Sequence, residues 1–223
     1  MKLTEMLQGF EFVFENRDRW SWAAASDGTY TVKKMSSIND QKVFAYITDS
    51  VGTLRNHLLP KKIEIFAWRV IKRRMPVRSE LNKRGIDLHS VRCPLCDDDG
   101  DDVESIEHCF IFCKFCMEIW ERVHNWWGRG PFTNLSLNEI LRGNTAASTT
   151  CEGKLIWQAI EWVCAYFIWK NRNNKVFHGK SWCSPVALNE IQIKSFEWIS
   201  VRAKKKKFDW LTWLNNPKVY LSS

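Results

Sequence analysis

Three cysteines and one histidine lie close together in residues 93–113, CPLCDDDGDDVESIEHCFIFC. Cys93 and Cys96 are separated by two residues, a spacing that forms a tight turn and lets both thiolates point at one ion. Eleven residues follow before His108, and four more before Cys113. Three thiolates and one imidazole at these spacings are typical of a structural zinc site, which has no open position for a substrate or an activated water. The sequence therefore predicts one structural Zn²⁺ held by these four side chains.

Two further cysteines complicate the choice of ligands. Cys109 and Cys116 are four and three residues from Cys113, so the three cysteines would share one face of a helix. That stripe is compatible with core packing or with a substitute ligand. His108 and Cys113 are five residues apart and would not share a helix face. If both bind the metal, the backbone must turn or unwind between them.

Five aspartates lie inside the loop between the two ligand pairs, where they raise the question of catalysis. A catalytic pair of carboxylates needs a fixed scaffold, and a flexible loop that contains Gly100 is a poor one. We interpret the aspartates as the solvated tip of the loop. The sequence has no nucleophile elbow and no phosphate-binding glycine loop, so we expect no enzymatic activity from this chain by itself. The aspartates are Asp97, Asp98, Asp99, Asp101 and Asp102.

The net charge of +8 on the 223 residues is concentrated in one part of the chain. Residues 55–92 contain eleven basic and three acidic residues, a surplus of eight that equals the whole net charge. A cationic block beside a metal site predicts a polyanionic partner, with RNA or DNA as the first candidate. A solvated helical face is the alternative interpretation. The candidate nucleic-acid-binding residues are Lys62, Arg69, Lys72, Arg73, Arg74, Lys83, Arg84 and Arg92.

Hydrophobic periodicity predicts an α+β fold that is mostly α-helical. Residues 19–35 alternate in polarity around Asp27-Gly28, which predicts an N-terminal β-hairpin. Residues 61–74 predict a basic amphipathic helix, in which the cations lie opposite an apolar stripe. That stripe consists of Ile63, Phe66, Ala67, Val70 and Ile71.

The zinc-knuckle segment is followed by a helical region. A helix is predicted directly after Cys113, and a capping box formed by Ser136 and Glu139 predicts another. Residues 155–169 are apolar almost all round a helix, so we expect this helix to be buried or paired. The last long helix is predicted to start at Ser184-Pro185 and to run to about Lys207.

We expect the chain to divide into four segments, an N-terminal extension at residues 1–17 and a zinc-binding domain at residues 18–142 being the first two. Residues 143–153 are small and polar and predict a linker, which leads to a helical C-terminal extension over residues 154–223.

Cysteine usage and hydropathy predict the compartment. Eight cysteines without an N-terminal apolar signal indicate reduced thiols inside the cell, in the nucleus or the cytoplasm. The most apolar stretch, residues 155–169, is too short and too polar to span a bilayer, so we expect no membrane association. The basic run at residues 202–207 fits a nuclear-localisation signal or a cationic helix end equally well.

The order of these motifs resembles a known family. Residues 18–127 carry DRWSW, DGTYTVKK, LPKKIEIFAWRVIKRRMPVRSELNKRGI, CPLC and ESIEHCFIFC, followed by a helix that contains tryptophan. This series is similar to the zinc-binding domain that follows the polymerase in reverse transcriptases of plant LINE-type (non-long-terminal-repeat) retrotransposons. The segments IWKNRNNKVFHGK and SFEWISVRAKKKKFDWLTWLNNP are similar to the C-terminal extension of the same proteins. The resemblance implies that the family's zinc ligands are Cys93, Cys96, His108 and Cys113.

Two departures from the family pattern bear on function. Asn56-His57-Leu58 stand where the family usually has a tryptophan, which affects local packing. The Tyr-x-Asp-Asp motif of the polymerase is absent from this sequence. The resemblance therefore implies a non-catalytic fragment, which works with a reverse transcriptase encoded elsewhere if it has such a partner.

Three functions are compatible with the sequence. The first is a zinc-stabilised module that binds RNA or DNA through the basic helix, with stacking by Trp126 or Trp127 as an alternative to core packing for those residues. The second is a protein–protein adaptor that docks through the apolar helix at residues 155–169. The third is a decayed remnant of a retroelement without activity.

Overall fold

The computed structural model describes residues 20–35, 37–38, 55–96, 102–132, 136–143, 150–180, 183–204 and 206–222. The predicted N-terminal extension, four of the five loop aspartates and most of the predicted linker lie outside these residues. Backbone contacts group the chain into two units, residues 1–53 and residues 54–223. The described residues are mostly helical, as predicted.

The predicted β-hairpin is not formed by the described residues 20–35. The backbone N–H of Trp22 donates to the carbonyl of Gly28 (2.8 Å), but bonds between Ala25 and each of these two residues fold the intervening chain into successive turns. The Asp27 carboxylate accepts from the Thr29 N–H (3.1 Å) and from the Lys34 ammonium (2.7 Å). These bonds close the loop locally, and the chain enters a helical turn at residues 32–35. The prediction of a turn at Asp27-Gly28 was correct, but the alternating polarity around it does not lead to strand pairing.

The basic amphipathic helix is present as α1, Lys61–Ile71. Its buried side includes Ile63, Phe66 and Val70, which confirms the predicted apolar face. Of the cations predicted for its other face, Lys62 and Arg69 are exposed and Lys72 is half-buried.

The helix ends in a tight reversal. Arg73 has a left-handed backbone with φ of 53°, and the Arg74 N–H donates to the carbonyl of Arg69 (2.8 Å). A six-residue helix, α2, follows at Arg78–Lys83. The reversal brings α2 back towards the segment that carries the metal ligands, where the Ser79 N–H donates to the carbonyl of Glu104 (3.2 Å).

Two helices follow the ligand segment. α3, Lys114–Trp126, presents a buried face that includes Trp120 and Val123. α4, Leu137–Arg142, begins with the capping box predicted at Ser136 and Glu139, in which each residue satisfies a backbone N–H of the other.

The remaining helices form the C-terminal part of the second unit. α5 extends over Cys151–His178 and α6 over Ser184–Arg202. The short helices α7 and α8 are Trp210–Asn215 and Val219–Ser222. α6 therefore ends earlier than predicted, and the basic run after Arg202 lies beyond the helix, where the Lys206 ammonium donates to the carbonyl of Tyr220 (3.1 Å).

α5 is the centre of the second unit. It packs against α1, α3, α4 and α6, and its apolar segment is buried, as predicted. Helices on both sides of the predicted linker thus pack together, while the predicted domain boundaries stay predictions. Within the described residues, no helix has the length and apolar character needed to cross a membrane.

Tryptophans supply much of this core. The largest fully buried side chains include Trp120, Trp127, Trp157, Trp162 and Trp213. Their indole N–H groups are bonded in several cases, for example Trp162 to the carbonyl of Leu141 (2.7 Å). The half-buried Trp126 donates to the carbonyls of Trp213 and Leu214 (3.2 and 3.0 Å). Core packing, rather than base stacking, is therefore the role of Trp126 and Trp127.

One buried ion pair joins α5 to the ligand segment. Arg172 donates through Nε to Glu104 Oε1 (2.6 Å) and through Nη2 to Oε2 (2.7 Å), and both side chains are almost fully buried. The N–H of Arg78 also donates to Glu104 Oε2 (2.8 Å), so the carboxylate binds the start of α2 as well. Burial alone would lower the pKa of Arg172, but the bonds from Glu104 outweigh it and raise that pKa. No local sequence pattern predicts this pair, because its partners are 68 residues apart.

We expect the Glu104→Gln variant to lose about 3–5 kcal/mol of unfolding free energy, because it leaves a buried guanidinium without its counter-charge. The matched control is Glu190→Gln on α6, since Glu190 pairs with Lys170 of α5 (3.8 Å) and its side chain is 37% exposed. This control should cost less than about 1 kcal/mol. Urea denaturation measures both.

Adding Arg172→Met to Glu104→Gln should recover part of the lost stability, because the uncompensated charge is then removed. Equal stability losses for the buried and the exposed carboxylate would show that the Glu104 pair does not anchor α5.

Candidate metal centre

A short antiparallel pairing positions the first two ligands. Arg92 and Val103 form an isolated β-bridge. The Cys93 N–H donates to the carbonyl of Asp102 (2.9 Å), and the Glu104 N–H donates to the carbonyl of Val91 (2.9 Å). The pairing aligns the two sides of the aspartate loop, so Cys93 enters the site from one side while the chain returns on the other.

A π-helical turn positions the other two ligands. It extends over His108–Phe112, and the N–H of Cys113 donates to the carbonyl of His108 (2.9 Å) across five residues. Cys113 itself has extended backbone (φ −63°, ψ 130°) and is the N-cap of α3. This widened turn brings together two ligands that a regular α-helix would place on different faces, and it confirms that the backbone unwinds between them.

The four ligand atoms converge on one point. All lie within 4.8 Å of one another. The Sγ atom of Cys113 lies 3.6 Å from that of Cys96 and 3.9 Å from that of Cys93, and Cys96 Sγ lies 3.2 Å from His108 Nε2. A tetrahedral zinc ion with Zn–S bonds of about 2.3 Å separates two sulfurs by roughly 3.8 Å, and a sulfur and a nitrogen by roughly 3.5 Å. The cluster is therefore compatible with one zinc ion, with His108 facing it through Nε2.

Burial and crowding disfavour free thiolates at this site. The pKa of Cys93 is raised, first by its hydrogen bond with Cys113 and then by burial. The neighbouring Cys116 thiol is the main cause of the raised pKa of Cys113, and burial raises the pKa of Cys96. Zinc binds cysteine in its thiolate form and supplies the positive charge that such a cluster needs. The arrangement suits a bound dication, and not a set of free nucleophiles.

The other two cysteines of the segment do not join the cluster within the described residues. Cys109 is buried, and its carbonyl accepts from the Cys116 thiol (3.0 Å). Cys116 thereby satisfies a carbonyl that the π-helical turn leaves outside the regular helix pattern. Both residues therefore pack in the core, which decides between the two roles that their spacing left open.

Asp102 is the one loop aspartate among the described residues, and it lies beside the site. Its carboxylate Oδ2 is 4.0 Å from His108 Nδ1, on the opposite edge of the ring from the metal-facing nitrogen. Carboxylates in this position help to orient a metal-binding imidazole. Asp102 is exposed, which agrees with a solvated loop.

Comparison with protein families gives a result that agrees with this geometry. Residues 30–120 match the family model described as zinc-binding in reverse transcriptase. All four ligands lie inside the match, together with α1 and α2. The match is to the zinc-binding segment and not to a polymerase catalytic domain. Comparison with curated proteins and with solved structures finds no significant match.

The predicted resemblance is thus confirmed for this reverse-transcriptase zinc-binding segment. The match stops at residue 120, before α5 begins. The plant LINE-type origin and the assignment of residues 154–223 to a C-terminal extension stay predictions. Glu104 lies inside the match and Arg172 outside it, so the buried ion pair joins the matched segment to the helices that follow.

The eight predicted nucleic-acid-binding residues lie mostly on the surface. Seven have exposed side chains, and Lys72 is half-buried. Two of the exposed cations are paired with acids, Arg73 with Glu107 and Lys83 with Glu80. The eight residues are Lys62, Arg69, Lys72, Arg73, Arg74, Lys83, Arg84 and Arg92.

Purified protein should contain about one zinc per chain, and the Cys113→Ala variant should lose it, because three ligands no longer close a tetrahedral site. Cys109→Ala is the matched control, since Cys109 is also buried but lies outside the cluster. It should keep the metal. Metal analysis by mass spectrometry, and thiolate-to-cobalt absorption after Co²⁺ substitution, measure both variants.

Chelation should lower the melting temperature of the wild-type chain and of Cys109→Ala, and should change that of Cys113→Ala little. Equal zinc loss in both variants would contradict the assigned ligand set.

Proposed function

We propose that this chain is the non-catalytic zinc module of a retrotransposon reverse transcriptase and that it binds RNA or DNA through its basic surface. The observation that carries the proposal is the two-sided character of α1. Its apolar face is buried against α5, while its cations Lys62 and Arg69 are exposed. Phosphates are the ligands that such a surface attracts most strongly.

The metal-binding segment supports the orientation of this surface. Arg73, at the end of α1, is ion-paired with Glu107, the residue immediately before the ligand His108. Arg92 is the residue immediately before the ligand Cys93. Zinc binding would therefore fix two of the basic residues through their direct neighbours.

Aromatic rings contact two other cations of the basic segment. The Lys62 ammonium lies 5.3 Å from the ring centroid of Trp198, on α6. The Arg74 guanidinium lies 5.2 Å from that of Trp68. A guanidinium or ammonium resting on an aromatic ring keeps its charge and loses little freedom when it meets a phosphate. Lys62 and Arg74, together with Arg69 and Arg84, are our principal candidates for phosphate contacts.

The wider assignment follows the resemblance. We propose that the chain derives from a plant LINE-type element, that residues 154–223 are its C-terminal extension, and that a reverse transcriptase encoded elsewhere is its partner. A nuclear or cytoplasmic site of action is part of the same proposal.

The adaptor function has less support. It requires residues 155–169 to offer an apolar helix face to a partner. From Ile156 to Ala165 every side chain except Gln158 is buried within the second unit. A docking function would need this core helix to leave its place.

Binding of a labelled single strand or duplex to the zinc-loaded chain should weaken with salt, because phosphate contacts release counterions. If about five phosphates are contacted, log K should fall against log salt with a slope near −4 to −5 on duplex DNA. Fluorescence anisotropy over a salt series measures the slope.

Replacing Arg69 and Arg84 with Gln should reduce that slope by about 2, since each lost phosphate contact removes roughly one unit. The control is the double replacement of Lys154 and Lys218 with Gln, exposed lysines away from α1 and α2. It should leave the slope close to the wild-type value. Absence of salt-dependent binding at micromolar concentration, or equal effects of the two double variants, would overturn the proposed function.

A further inference from the structure

A surface cleft of about 400 Å³ opens between α1, α2 and the C-terminal half of α5. Its volume falls in the range of about 300–1,000 Å³ that is usual for small-ligand sites. Part of its wall comes from the matched segment and part from α5, which lies outside the match. Arg69, a candidate for phosphate contacts on α1, therefore lies at the same cleft as residues of α5.

Among the described residues, the charged groups that line the cleft are arginines and none is acidic. Arg69 comes from α1, Arg78 from the start of α2 and Arg172 from α5. The charge of Arg172 is compensated by Glu104. Arg69 is exposed, and among the described residues its guanidinium has no ion pair or hydrogen bond. Arg78 uses one Nη1 donor on the carbonyl of Arg92 (2.8 Å), which holds the side chain and leaves other donors.

Apart from the amide of Asn173, the remaining wall is apolar and contains two aromatic rings. Leu81 and Leu88 form one part, and the half-buried Trp169 is another part of the same wall. Phe177, in the last turn of α5, is 70% exposed. A large ring at this exposure contributes little to core packing, and it borders a cleft whose charges favour an anion.

We propose that this cleft accepts an unpaired nucleobase of a single-stranded RNA or DNA, stacked on Phe177, with the adjoining phosphates on Arg69 and Arg78. This inference rests on the proposed nucleic-acid binding and specifies its substrate as single-stranded. A cleft of this size admits one base with its sugar, whereas a base inside a duplex cannot enter without leaving its stack. Stacking on an exposed ring combined with a basic groove is how proteins hold single strands without reading their sequence.

The test uses the zinc-loaded full chain, a labelled oligouridine, the same strand annealed to its complement, and a strand of equal length that lacks bases. The Phe177→Ala variant should bind oligouridine about 5-fold or more weakly than wild type, because one base-stacking contact is lost. Its affinity for the duplex and for the abasic strand should change less than about 2-fold, since the phosphate contacts remain.

Leu211→Ala on α7 is the matched control, because Leu211 is also an exposed apolar side chain (64%) but borders no part of the cleft. It should leave all three affinities unchanged. Circular dichroism and zinc content establish that both variants are folded, and substitution of such exposed side chains is not expected to disturb the core.

Photo-cross-linking with a single 5-iodouridine in the strand gives an independent measurement. The cross-linked peptide, located by mass spectrometry, should include Phe177 or Trp169. Cross-links confined to other peptides would overturn the inference.

The outcomes separate this inference from the function on which it rests. If Phe177→Ala weakens all three ligands equally, or none of them, the cleft does not hold a base. If Phe177→Ala weakens none of the three ligands but the Arg69 and Arg84 double variant reduces the salt slope, the proposed function still holds. If wild type binds no ligand, both proposals fail and the cleft is better assigned to a protein segment.

Discussion

A buried carboxylate, Glu104, connects three parts of the second unit that are far apart in sequence. Its side chain binds the guanidinium of Arg172 on α5 and the backbone N–H that starts α2. Its own backbone completes the pairing that positions Cys93. A charge pair of this kind gains little over an apolar contact of the same volume, but it tolerates only one arrangement of its donors and acceptors. The Glu104–Arg172 pair therefore positions the metal loop relative to α5.

The zinc cluster stabilises the same region from the other side. Two ligands come from the paired loop, and two from a π-helical turn that the Cys116 thiol supports. Among the described residues from 78 to 105, Cys93 is the one apolar side chain in the core, so the metal supplies cohesion there that the core does not. α1 contacts this region through the ion pair of Arg73 with Glu107 and through the edge contact of Phe66 with Phe110.

Local patterns in the sequence were enough to predict the ligands and the basic helix. The spacing of the residues was enough to select Cys93, Cys96, His108 and Cys113. A metal ion requires its ligand atoms to lie close together, and the tight turns that bring them together have characteristic residue spacings. The five-residue separation of the last two also predicted the break in helix geometry. The apolar stripe of α1 is read from the period of 3.6 residues.

Other features depend on contacts that no local pattern carries. The prediction of a hairpin at residues 19–35 was wrong. The alternating polarity of these residues did not reveal the side-chain hydrogen bonds by which Asp27 closes a local turn. The Glu104–Arg172 pair and the exposed ring of Phe177 escaped prediction, since their significance appears only when α5 lies beside α1 and α2. Counting the charged residues located the basic segment. It did not show that the charge of Arg73 is neutralised by an acid, which distinguishes Arg73 from Arg69.

The distance along the chain between Glu104 and Arg172 has a consequence for biosynthesis. The last metal ligand is synthesised long before the arginine that neutralises Glu104, which follows that carboxylate by 68 residues. At translation speeds of about 5–20 residues per second, the ribosome needs roughly 3–14 s to add those residues. During this interval the nascent metal loop can bind its ion but cannot pack against α5. The apolar faces of α1 and α3 therefore remain exposed and accessible to chaperones.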